Sequence, residues 1–238
     1  RHGLLSRDGT GTIRYGFVHG NWALDNSLPD RRWCGVDDEL AVLRGTGCYA
    51  DFTLPAAPSP AQTRTVNRLY YAVGAQRGPK AHDSGVSAAV GRRPSAEDLL
   101  LVQGPLMPSF RDRKWGIVPR LENGALHAGH PPTAGRFADW LSCGICVEGR
   151  PDWVFIKVHT HGAPESEAAM LFGSETVAFH RDVLATYNDG TRFRLHYVTT
   201  REMVNIIHAA EEGKTGDPGQ YRDHRFGRPP VSGAGSTY

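Results

Sequence analysis

Two histidines, His159 and His161, stand two residues apart at the end of the run Pro151-Asp-Trp-Val-Phe-Ile-Lys-Val-His159-Thr160-His161-Gly162. On an extended backbone, side chains at i and i+2 share a face, so both imidazoles could serve one metal, one substrate or one proton transfer. The plainer alternative is that one caps a strand by hydrogen bonding and the other is solvated. Polar groups recur where other apolar runs stop: His19, Asn21 and Trp22 after residues 13–18, Asp51 and Thr53 within residues 48–54, and Gln103 after Leu99–Val102. Buried strands mostly need apolar residues, so packing does not explain the recurrence, although strand ends also simply meet polar loops. With Asp25 and His82 from adjoining loops, these residues form the candidate set. His159, His161 and Asp51 are assigned to catalysis, and His19, Asn21, Trp22, Asp25, Thr53, His82 and Gln103 to substrate binding. Such a set suits a divalent metal with an open position, or an acid–base pair around a metal-bound water.

The elements that must position these residues follow from periodicity. Residues 153–158 are apolar, aromatic and β-branched between Pro151 and Gly162, which favours a buried strand over a helix segment. Residues 13–18, 48–54, 99–102 and 193–198 read as further strands, and 115–121 as an extended piece. Asp37-Asp38-Glu39 opens a helix through Leu40 and Leu43, with acids at its positive end and Gly45 and Gly47 stopping it. Residues 63–72 have helical spacing through Val66, Leu69 and Tyr70. Further helices start at Pro132-Thr133, at Ser174-Glu175 and at Thr200, the last with Met203, Ile206, Ile207 and Ala210 as its buried stripe. Alternating strands and helices predict an α/β fold with a mostly parallel, helix-covered sheet whose carboxyl ends converge on one mouth. Residues 1–212 are expected to form this domain. Residues 213–238, rich in Gly, Pro and Arg without apolar period, are expected to form a disordered tail.

Composition excludes several classes. Lys and Arg number 27 against 25 Asp and Glu, a net charge of +2, so no basic footprint for nucleic acid exists. No apolar run approaches the ~18 residues of a membrane span. Cys34, Cys48, Cys143 and Cys146 do not form a disulfide-framework pattern, which favours a reducing, cytoplasmic setting. The lone Cys143-Gly-Ile-Cys146 has no second pair at zinc-ribbon spacing and reads as ordinary thiols. No Gly-x-Ser-x-Gly elbow and no phosphate-binding glycine loop occurs. Trp22, Trp33, Tyr49, Phe52 and Trp115 suit sugar rings, but core packing accounts for such aromatics as readily. The chain opens at Arg1 rather than Met, as a processed product or fragment would.

Several stretches are similar to a known family. Tyr15-Gly-Phe-Val-His-Gly-Asn-Trp-Ala-Leu-Asp25, Cys34-Gly-Val-Asp-Asp-Glu-Leu and Gly47-Cys-Tyr-Ala-Asp-Phe-Thr53 form one group, and Phe155-Ile-Lys-Val-His-Thr-His161 and His196-Tyr-Val-Thr-Thr-Arg-Glu-Met203 the other. Together they resemble the carboxyl-terminal part of polysaccharide deacetylase-like proteins, in a bacterial subgroup, over residues 1 to 212. The resemblance implies a distorted or incomplete (β/α) barrel. It also implies a divalent metal, usually zinc, that activates water against an acetyl group on a saccharide. Lys157-Val-His159 matches the family's Leu-x-His motif loosely and makes His159 the implied acid, with His161 its rival. His19-Gly-Asn-Trp22 replaces the family's Arg-x-Pro-Tyr. The family's paired aspartates and His-x-x-x-His cluster are not in this chain, and the resemblance puts those metal ligands upstream of Arg1. The function expected is therefore metal-dependent removal of acetyl groups from a saccharide. The alternatives are an inactive barrel that binds glycans or assists polysaccharide biosynthesis, and a metal-free glycosidase using Asp51 and Glu122.

Overall fold

A computed structural model describes residues 4–72, 78–161 and 164–229, so Gly162 and the chain beyond 229 lie outside the described residues. Among the described residues six strands form the main sheet: β1 (Ser6–Arg7), β2 (Ile13–Phe17), β3 (Cys48–Asp51), β4 (Leu69–Ala72), β5 (Val86–Ser87) and β6 (Leu99–Val102), in the order β1-β2-β3-β6-β4-β5. β2, β3 and β6 are parallel neighbours, registering Phe17 with Asp51 and Asp51 with Leu101. Three of the five pairings in the sheet are antiparallel, and among the described residues no barrel closes. The expected mostly parallel, barrel-like α/β fold is thereby corrected to a mixed sheet.

The correction has two local causes. Residues 69–72, read as part of a helix, form β4, which runs antiparallel to β6 from Leu69↔Val102 to Ala72↔Leu99. Its four residues are all buried, and a short run covered on both faces shows no period by which to recognise it. Residues 153–158, read as a central strand, stay outside the sheet. Only His159–Thr160 (β10) pairs, in parallel, with Ala125–Leu126 (β9). Residues 193–198 form no strand either. Residues 115–121 fall on a hairpin of β7 (Met107–Lys114) and β8 (Val118–Glu122).

Among the described residues five α-helices accompany the strands: α1 (Glu39–Gly45), α2 (Ala134–Ser142), α3 (Glu165–Leu171), α4 (Ser174–Tyr187) and α5 (Thr200–Glu211). Alternation places Leu69, Tyr71, Leu100 and Val102 on one face of the sheet, against Val204, Ile207 and Ala210 of α5. Tyr70, Ala72, Leu99 and Leu101 occupy the other face, against Leu40 and Leu43 of α1 and the buried Ala23, Leu24 and Leu28. Burial on both faces explains why these strands are apolar throughout. Gly47 (φ 100°) turns α1 into β3 so close to β2 that a Cβ would meet the carbonyl oxygen of Ile13 at 2.8 Å. Thr199 and Glu202 form a reciprocal capping box at the start of α5. Phe137, Trp140 and Val183 make a third, smaller core between α2 and α4.

The expected disordered tail is corrected over residues 213–229. Phe226 is buried in the main core and stacks on Tyr49 with ring centroids 4.7 Å apart. Asn205 of α5 clamps this segment, its Nδ2 donating to the carbonyls of Arg222 and Phe226. The side chain of one buried asparagine thus does for the segment what an apolar period does for a helix. Among the described residues no helix is long and apolar enough to cross a membrane.

Candidate functional site

Because β2, β3 and β6 are parallel, their carboxyl ends leave the sheet at one edge, and the first cluster forms there. Asp51 ends β3 and is buried. Its Oδ1 accepts from the Thr53 N–H (2.9 Å) and its Oδ2 from the Thr53 hydroxyl (2.8 Å). Thr53 Oγ1 in turn accepts from the His19 N–H at 2.8 Å, so the turn after β2 hangs on the exit of β3. Removal from water pushes the Asp51 carboxyl up to about 6, against the opposing pull of the Thr53 hydrogen bonds and of the His82 and Lys157 charges.

Lys157 joins the second group to the first. Its buried Nζ donates to the carbonyl oxygens of Phe52 (2.7 Å) and Leu54, the residues on either side of Thr53. Burial pulls this amine down to about 8, with the Asp51 charge opposing. Gly104, just after β6, completes the junction: a Cβ there would meet the carbonyl oxygen of Lys157 at 2.5 Å. The 157–161 segment is therefore held against the ends of β3 and β6, and its histidines emerge beside them. His159 is half-buried. Desolvation first, and then the positive charges of Lys157, His161 and Arg136, lower its pKa to about 4, so its imidazole is neutral at pH 7. His161 is exposed and meets the ring of Trp22 edge-on, with centroids 5.4 Å apart.

The candidates accordingly separate. His19, Trp22 and His161 are linked at the surface, Trp22 donating its backbone N–H to the His19 carbonyl and meeting the His161 ring, over the buried Asp51–Thr53 pair. His159 pairs its backbone with Gly124 and Ala125, and Asn21 is exposed beside His19, its N–H on His19 Nδ1 at 3.4 Å. Asp25, His82 and Gln103, expected to bind substrate, are buried beneath the surface. Asp25 accepts from the N–H groups of Glu39 (3.0 Å) and Ala81 (2.8 Å) and so ties two loops together. Gln103 fills its amide with Arg68 N–H, Thr63 and Thr65 O, which makes it a strand-end clamp. His82 lies 3.9 Å from Asp25, and neither of its ring nitrogens has a hydrogen-bond partner. Thr53 is buried as well, so it acts on the rim through His19. Asp51 likewise cannot touch a saccharide directly.

The carboxylate pair of the glycosidase alternative does not hold. Glu122 is buried and bonded through both oxygens to Arg136 at 2.7 and 2.9 Å. Burial would raise its pKa, but these bonds outweigh it and hold it below the usual carboxylate value. It is a structural anion.

Sequence reasoning missed Lys157 as a functional side chain, reading it only as part of a motif; an amine inside an apolar run was the available signal. It also missed that Cys34 and Glu39 approach His19. One donor atom from each of His19, Cys34 and Glu39 lies within 4.8 Å of the others, the one such three-residue group among the described residues. A thiol, an imidazole and a carboxylate are a donor set that zinc accepts, so the cofactor implied by the resemblance has residues here that fit it. Comparison with family models, curated proteins and solved structures yields no match, so fold and site stand on the residues and geometry alone.

Proposed function

We propose that this chain carries the working rim of a hydrolase that removes acetyl groups from a saccharide. The observation that supports this reading best is the junction of His19, Trp22, Asp51 and Thr53 with residues 157–161, because it gathers side chains from separate segments that the main core does not require. His159, neutral at pH 7, begins as a base rather than as the acid that its motif implies. Its free ring nitrogen takes a proton from the attacking water as the water oxygen bonds to the acetyl carbon. The protonated imidazole returns that proton to the leaving amine or alkoxide as the bond to the acetyl carbon breaks. Lys157, Thr53 and Asp51 hold the backbone around the base. Trp22 and His161 offer a ring-sized apolar edge for a sugar. A divalent ion seated at His19, Cys34 and Glu39 would supply a Lewis acid and a more acidic water.

The chain should release acetate from a short N- or O-acetylated oligosaccharide, and His159→Ala should slow this by about a hundredfold or more. Equal rates for parent and variant would remove the reading. One observation favours a second reading, glycan binding without turnover: Asp51, the carboxylate assigned to catalysis, is buried and bonded through both oxygens to Thr53. That reading predicts oligosaccharide binding that Trp22→Ala weakens, with no acetate formed.

A further inference from the structure

We propose that His19, Cys34 and Glu39 are the protein ligands of one thiophilic divalent cation, zinc in class, whose remaining position is left to water or a substrate atom. The donors come from three places: the turn after β2, the loop before α1, and the first residue of α1. Cys34 Sγ lies 3.3 Å from Glu39 Oε2, close to the edge of a tetrahedron with Zn–S of about 2.3 Å and Zn–O of about 2.0 Å. All three residues are half-buried, so an ion could enter from solvent and still be partly desolvated.

Two of the ligands are already held in place by neighbours. Glu39 Oε2 accepts the Asp25 N–H at 2.7 Å, and the Glu39 N–H returns to Asp25 Oδ1 at 3.0 Å, which fixes the carboxylate. Asn26 holds both sides of the Cys34 turn, accepting from the Gly35 N–H at 3.3 Å and donating to Asp37 at 2.7 Å. Outer contacts of this kind orient ligands in metal sites. If Nδ1 of His19 is the donor, binding gives up its 3.4 Å contact with the Asn21 N–H. A sulfur among the donors selects zinc, cobalt or copper over magnesium and calcium. Among the described residues Cys143 and Cys146 form no such group with a third donor, although their CxxC spacing is the more familiar pattern. This site stands on its donor geometry and does not depend on acetyl hydrolysis.

The test is a titration of the reduced chain with cobalt(II), read by absorption. One equivalent should produce a thiolate-to-cobalt charge-transfer band, zinc should abolish it, and magnesium at the same concentration should not. Cys34→Ser should remove the band and weaken zinc binding at least tenfold, and Glu39→Gln, which can still accept the Asp25 N–H, should also weaken it. Cys146→Ser should leave both unchanged, and thermal melting of the metal-free variants should confirm that they fold. No band, a band unaltered by Cys34→Ser, or one lost in Cys146→Ser overturns the proposal. Metal binding without acetate release would remove the hydrolase reading and leave this one standing.

Discussion

Around Arg136 each of the five N–H donors has an acceptor, on Glu122, His130, Pro131 and Ala125, whereas around His82, equally buried, neither ring nitrogen has one. The first cluster anchors α2 to the segment after β8. The second lies under the rim, between Asp25 and Asp51. Buried polar groups are nearly always satisfied, because leaving one unpaired costs free energy. The Arg136 guanidinium follows that rule and needs no function to account for it. The surroundings of Asp51 depart from it: its carboxyl is raised, the amine of Lys157 beside it is lowered, and His82 is unpaired. Perturbed groups collected in this way are a mark of functional sites, and the contrast tells which buried charges to set aside.

Mutation can break or sharpen this contrast. The largest effect is expected at the satisfied cluster. Arg136→Met leaves Glu122 buried and unpaired, and chemical denaturation should show a loss of about 3–5 kcal/mol. A loss close to zero would mean the pair is not structural. Lys157→Met should cost less, about 1–3 kcal/mol, by stranding the carbonyls of Phe52 and Leu54. It should also reduce acetate release.

The pH dependence of stability gives a test by sign. Asp51 is raised from 3.8 to about 6, so between those values the folded chain binds the extra proton and stability falls as pH rises. His159 is lowered from 6.5 to about 4, so over nearly the same window the unfolded chain binds the extra proton and stability rises. The two oppose each other in the parent protein. Melting temperature between pH 4 and 6 should therefore rise more steeply with pH in Asp51→Asn and turn downward, relative to the parent, in His159→Asn. Identical slopes in all three proteins would show that neither group is perturbed. The smallest effect is expected at His82, where Leu replaces an imidazole that makes no hydrogen bond. The cost should stay below about 1.5 kcal/mol, and a loss as large as that of Arg136→Met would erase the distinction between the clusters.

How much of this was legible depended on whether a residue's role is local. β2, β3 and β6 announce themselves by apolar runs with polar exits, and since they are parallel their exits do share an edge. The starts of α1, α2, α4 and α5 are written in acids, Pro132-Thr133, Ser174-Glu175 and Thr200, while the Thr199–Glu202 box that caps α5 shows only in the structure. β4 was not legible, because four buried residues carry neither period, and its antiparallel course overturns the barrel. The ordering of residues 213–229 is also hidden, since it rests on Phe226 and on the distant Asn205. Asp25, His82 and Gln103 were assigned to substrate binding but lie buried, because type alone cannot separate a group that faces a ligand from one that satisfies a neighbouring backbone. Lys157, Cys34 and Glu39 escaped for the converse reason: each takes its meaning from a partner in another segment.

Whether Trp22, His159 and His161 act as a single site is tested most directly by a nuclear magnetic resonance titration with a short N-acetylated oligosaccharide. The indole N–H of Trp22 and the ring signals of His159 and His161 should shift together along one binding curve, while Trp115, exposed at the β7–β8 turn, stays still. Shifts at Trp115 or elsewhere with the three rim residues unmoved would contradict it.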